Sequence, residues 1–253
     1  SKQGDSIALT EFNLKDRQAQ LQGTLSASLA QQWPVDVQLA VSKLNPALYV
    51  KRPSPLLQGQ INGAASFKGQ LRGPLNGSGK GSVKSQLAPS GLLQVDLNNS
   101  NLAKAPLVFN AKLQGGPQAF ESVLLNLDVL GNTVNANGRY GKPGDTVALK
   151  VNLARLPELG KLVQRKLAGT AALNANLSGQ GAQTSAQGEL NINGLVLDDL
   201  LAVKSATGQF NLGAMPNSPW VADFNVAGVG QPGSKAPDWV KSLGLQLRGT
   251  RSQ

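Results

Sequence analysis

The chain has 253 residues, 24 Lys+Arg against 14 Asp+Glu for a net charge of +10, and neither His nor Cys. Without His there is no Ser-His-Asp relay, no His-ligated metal and no imidazole base near neutral pH. Without Cys there is no disulfide, no thiolate nucleophile and no Cys-containing zinc or iron–sulfur site. Only 15% of residues are charged and 4% aromatic, but 40% are hydrophobic, too many for a chain disordered by composition. The excess of positive charge suits nucleic acid, anionic lipid or an acidic partner without choosing among them.

Taken in order, the hydrophobic pattern has period two. It runs through Leu21, Leu25 and Leu29, then Val35 to Val41, then Ile61, Ala65 and Phe67. It returns at Leu93/Val95/Leu97, Leu107/Phe109/Ala111/Leu113 and Leu125/Leu127/Val129. It continues at Val147/Leu149/Val151/Leu153, from Leu167 to Leu177, at Leu190/Ile192 and at Trp220/Ala222/Phe224/Val226. Strict alternation puts Leu, Val, Ile, Ala and Gly on one face of a strand and Gln, Asn, Ser, Thr and Lys on the other, the signature of antiparallel sheets with one wet face. Turn clusters separate the strands: 73–79, Gly115–Pro117, Gly141–Gly144, Pro216–Pro219 and Gly228–Gly233. Two stretches break the period, Leu44–Val50 and Leu156–Val163, and read as helical inserts of one or two turns. No apolar run approaches the roughly 20 residues of a membrane span. The first residue is Ser and the tail closes on a strand-like run, so the chain reads as part of a longer protein.

The inserts mark an internal repeat. Leu57, Gly59, Ala65, Gly69 and Gln70 meet Leu167, Gly169, Ala175, Gly179 and Gln180 at an offset of 110. Val37, Leu39 and Val41 match Val147, Leu149 and Val151 at the same offset; Gly23 aligns with Gly138 at 115, and Pro106–Gly115 with Pro219–Gly228 at 113. The expected organisation is one β-repeat unit over 1–115 with a helix near 44–50, a second over 116–230 with a helix near 156–166, and the start of a further unit or a C-terminal strand over 231–253. Glycines 59, 63, 69, 169 and 179 fall on the apolar face in mid-strand, where they permit bending or close approach. Periodicity alone leaves a sandwich core and a curled sheet with an open groove equally open.

Reactive motifs fail on inspection. Gly77–Gly81 lacks the Gly at 74 and the Ser or Thr at 81 of a phosphate loop, and position 82 is Ser where a dinucleotide fingerprint needs Gly, so the stretch reads as a hairpin turn. Asp198 and Asp199 read as turn acids or a helix cap. The cations are dispersed and no aromatics interleave with them, which argues against nucleic acid as a partner; the densest group, Lys161–Lys166, reads as a solvated face. Trp33, Trp220 and Trp239 read as end plugs or core. No catalytic residue, metal site or cofactor is expected.

The repeated Leu/Gly/Ala/Gly-Gln pattern, the Leu-Pro helix before its second copy and the strand Ala186–Val196 after it resemble the TamB branch of the AsmA-like family. The resemblance implies an all-β fold: a long, curled, antiparallel-rich sheet (a "β-taco", or U-shaped trough with an apolar interior) with one or two short helical inserts. It also implies a periplasmic segment of a protein anchored in the inner membrane of a Gram-negative bacterium, a groove for phospholipid acyl chains moving between inner and outer membranes, and a TamA-like outer-membrane barrel as a partner met through other regions of the parent. On that reading Leu21, Leu25, Leu39, Ile61, Phe67, Leu125, Leu127, Leu149, Val151, Leu173, Leu177, Ile192, Phe210 and Phe224 line the groove. A protein-handling scaffold that templates outer-membrane strands by β-augmentation is the second expectation, and an adhesin-type solenoid a weaker third.

Overall fold

A computed structural model describes residues 2–3, 6–28, 33–52, 54–72, 88–116, 118–181, 183–214, 218–233 and 238–250. The turn clusters expected at 73–81 and 216–217 lie outside the described residues. The fold is one antiparallel sheet of fifteen strands in sequence order, open at both edges. The strands are β1 (Lys2–Gln3), β2 (Ser6–Asp16), β3 (Ala19–Ser28), β4 (Pro34–Leu44), β5 (Gly59–Arg72), β6 (Ala88–Leu102), β7 (Ala105–Gly116) and β8 (Ala119–Val129). They continue as β9 (Asn132–Tyr140), β10 (Thr146–Leu153), β11 (Leu167–Gln180), β12 (Gln183–Leu197), β13 (Leu201–Leu212), β14 (Pro219–Gly230) and β15 (Val240–Thr250). Gly228–Gly230, expected in a turn, instead complete β14 through pairs such as Ala202 with Gly230, and the turn begins after them.

Both helical inserts are present, on the same side of the meander. The first is a 3-10 turn, Pro46–Tyr49, followed by a second at Pro55–Leu57, rather than an α-helix. Asn45 and Ser54 cap the two turns by accepting from the Ala47 and Leu56 amides, and Pro at the first position fits where no donor is needed. The second insert, Leu156–Val163, is a true helix, α1. The buried Asn132 side chain accepts from the Arg155 amide at 2.9 Å at its start. Beyond its end, Asp198 accepts from the Lys166 amide at 2.8 Å and pairs with Arg165 at 2.8 Å.

The repeat holds in topology around the inserts: β3, β4 and β5 correspond to β9, β10 and β11. Downstream it loses phase. Pro106–Gly115 lies in the second strand after β5, whereas Pro219–Gly228 lies in the third after β11, so the second copy carries one strand more. Pairing is continuous across residue 115, where β7 and β8 form one hairpin.

Among the described residues no second layer covers the sheet. The chain exposes 16454 Å², against roughly 10,600 Å² for a compact monomer of this mass. Among the described residues no side chain is buried below 2% exposure. Shelter differs between the faces, and alanines give a comparison free of side-chain size. Ala111, Ala175, Ala206 and Ala222, on the face that carries the Leu and Val residues, are buried; Ala64 and Ala148, on the other, are exposed. The sheet is therefore concave toward its apolar side, as in a trough.

Glycine permits that curvature. A Cβ on Gly188 would sit 2.3 Å from the carbonyl oxygen of Asn174 on the next strand. Gly188→Ala should lower stability by about 1–3 kcal/mol, a drop of roughly 3–10 °C in Tm for a chain of this size, read by thermal circular dichroism.

The first insert is tied down by Tyr49, whose hydroxyl donates to Asp16 at 3.0 Å. That bond, helped by partial desolvation and the Asp16 charge, raises the phenol pKa above its ordinary value. A raised pKa means that the contact stabilises the fold below the ordinary phenol range and is lost as pH climbs through the folded value. In a Tyr140→Phe background, which leaves Tyr49 as the one tyrosine, the phenolate absorbance titration should move to lower pH on Asp16→Ala.

Candidate functional site

Alternation fixes the face of each side chain, and register then lines the strands up. One cross-strand row reads Leu14, Leu21, Val41, Gly63, Leu97, Phe109, Leu127, Val134, Val151, Leu173, Leu190, Gly208, Phe224, Leu245. It crosses every strand from β2 to β15 without a polar side chain. A second row two residues away holds Leu39, Leu125, Leu149 and Phe210, joined through Ala65, Val95, Ala111, Ala136, Ala175 and Gly188. A third, on the far side of the second, holds Leu25, Phe67 and Leu177. Thirteen strand spacings of about 4.8 Å give the rows a length of roughly 60 Å.

All fourteen residues expected to line a groove fall on this face. Twelve lie in these three rows. Ile192 lies in a fourth, with Leu153, Ala171, Ala206 and Val226. Ile61 stands two residues from Gly63, beside a point where the β4–β5 and β5–β6 registers both shift. The hydroxyl of the buried Ser100 accepts from the Asn62 amide at 2.9 Å and donates to its carbonyl at 2.8 Å, holding the irregular backbone there. Phe109, on the alternating run Leu107–Leu113, belongs to the first row. Val134 was missed because the residues that follow it on the same face, Ala136 and Gly138, are small; register places it in the first row.

Two aromatics lie flat along the wall, over glycines of the neighbouring strand. A Cβ on Gly208 would fall 2.2 Å from Phe224 Cδ1, and one on Gly249 would fall 2.4 Å from the Trp220 ring. The rings so placed thicken the wall rather than project from it. Trp239, expected as a plug or core residue, is 62% exposed: it stands just before β15, which among the described residues is an edge of the sheet.

The opposite face is polar, with Asn110, Asn126, Asn135, Lys150, Asn174, Glu189, Gln209 and Asp223 in one row. Two shallow hollows, of about 680 and 780 Å³, lie on that side at corresponding places in the two repeats, one around Ala148 and Asn174 and one around Gln38 and Ala64. Among the described residues no three Asp or Glu come together as metal ligands would. Asp198 and Asp199 are turn acids: they pair with Arg165 and Lys166 and neutralise most of the densest basic group.

The fold and its wall define an open, single-sheet β protein with one continuous apolar face. No family model, no curated protein and no solved structure matches the chain.

The two faces can be told apart in solution. The chain has no native Cys, so Leu125→Cys and Asn126→Cys each offer one thiol. A polarity-sensitive fluorophore should emit at clearly shorter wavelength from position 125 than from its neighbour 126.

Proposed function

We propose that the chain is a non-enzymatic periplasmic segment of a TamB-like, inner-membrane-anchored protein, and that its apolar face shelters phospholipid acyl chains in transit between inner and outer membranes. The observation that carries this reading is the set of unbroken apolar rows on a concave face with no covering layer. Each methylene moved from water onto such a wall gains about 0.8 kcal/mol. The wall offers no fixed polar anchor, so a bound chain can move along it. A hydrocarbon leaflet is about 15 Å deep, so rows of roughly 60 Å can hold several lipids in file.

Native mass spectrometry of the purified chain should show co-purified phospholipid. Leu173→Arg puts a cation into the first row at mid-length. It should cut bound lipid and vesicle-to-vesicle transfer at least several-fold while the far-ultraviolet spectrum keeps its β signature. Normal transfer by a folded Leu173→Arg chain would sink the groove reading. The scaffold reading is favoured by one feature, β15, whose Leu243 and Leu247 are exposed along an edge that pairs only with β14 among the described residues. Crosslinks from β15 to a client strand, with none from row positions to lipid, would favour it.

A further inference from the structure

We infer that one lip of the trough is a headgroup rail that selects glycerophospholipids of net negative charge; this inference rests on the lipid-groove reading. In an up-and-down sheet the connections alternate between the two ends of the strands, and with rows running along the trough those ends are its two lips. The connections β2–β3, β4–β5, β6–β7, β8–β9 and β10–β11 all fall on the same lip, which carries both inserts. Arg17, Lys51 with Arg52, and Lys104 occupy the first three of these connections. The fourth has no cation of its own, but Arg155, from the fifth, lies over it: a Cβ on Gly131 would sit 3.3 Å from Arg155 Cδ. Successive connections on one lip are two strands apart, about 10 Å, so the cations recur at regular steps along the trough.

None of these five side chains has an ion-pair partner among the described residues, whereas the cations farther along the same lip do: Lys161 pairs with Glu158, Arg165 with Asp198, Lys166 with Asp199 and Lys204 with Asp238. On the other lip, the cations at the described β9–β10 connection are also paired, Arg139 with Asp145 and Lys142 with Glu121. Among the described connections, unpaired cations thus lie on one lip, over the first ten strands. Beside it stand exposed apolar groups of the first insert, Leu48 at 49% and Tyr49 at 51%. A cation above an apolar step is the arrangement that meets a phosphate at the glycerol end of an acyl chain. A lipid whose tails lie on the wall holds its headgroup at the lip, where an unpaired Lys or Arg favours a headgroup of net negative charge over a zwitterionic one.

The test is competition. The chain is incubated with vesicles of equal parts dioleoyl phosphatidylglycerol and dioleoyl phosphatidylcholine, reisolated, and its bound lipid identified by mass spectrometry. Enrichment of the anionic lipid by about fivefold is expected for one cation engaged per headgroup. It should fall toward an even ratio in 1 M salt, where screening is about 3 Å, and in the folded variant K51E/R52E/K104E. An even ratio at low salt, or an enrichment unchanged in the variant, overturns the rail. Binding of neither lipid would instead sink the groove reading beneath it, so the two failures are distinguishable.

Discussion

Everything in this molecule depends on the inter-strand hydrogen-bond ladder, because among the described residues no second layer holds the strands. A domain ordinarily buries the apolar face of a sheet against another element. Here each strand is secured by its two neighbours and by side chains in its own row. The ladder must therefore be kept in register over fifteen strands, since a slip of one residue would exchange the faces of everything beyond it. Small, short-connected hairpins serve that need: β6 and β7 are joined by Ala103 and Lys104, both at positive φ, and β8 and β9 by Leu130 and Gly131, likewise. Two-residue turns of that hand fix register tightly.

A ladder alone would give a twisted ribbon with an apolar face in water. The concavity lowers that cost by letting neighbouring rows shade one another, which is why Ala175 and Ala222 reach 7% exposure with nothing packed above them. Curvature is built where strands approach too closely for a Cβ, as at Gly188, and where registers shift, as beside Ile61. The inserts then fasten one side. Asn132 and Asp198 pin the two ends of the α1 segment to the β8–β9 and β12–β13 turns, joining connections that the ladder itself leaves independent. Curving and fastening act on the same strands, so the trough's shape is set locally, repeat by repeat.

This division also explains what could be read from the sequence. Face follows from parity, so all fourteen expected wall residues were found on one side. Rows do not follow from parity, because register depends on irregular points that shift one strand against the next. β2 escaped notice for this reason: its pairing shifts between Leu9 and Phe12, and the alternation changes phase there. α1 was legible over its full length from apolar spacing and Pro157; the first insert became a 3-10 turn because only four residues lie between Asn45 and Val50, with Ala47 alone buried. The repeat was legible around the inserts; downstream, Pro106–Gly115 and Pro219–Gly228 resemble each other locally, and local likeness carries no record of how many strands intervene.

A wall made this way has a bearing on movement along it. Small and large residues alternate from strand to strand in the second row, from Leu39 through Ala65, Val95 and Ala111 to Leu125, so no position offers an acyl chain much deeper purchase than the next. Phe224 lying over Gly208 keeps even a large side chain from forming a step. On the proposed lipid reading, tight binding at one point would trap a lipid, whereas a surface of nearly equal sites, each worth a modest gain per methylene, would hold it out of water without fixing its place. A composition with 29 Gly and only 4% aromatic residues suits such an even surface: bulk would create pockets, and polar groups would create anchors.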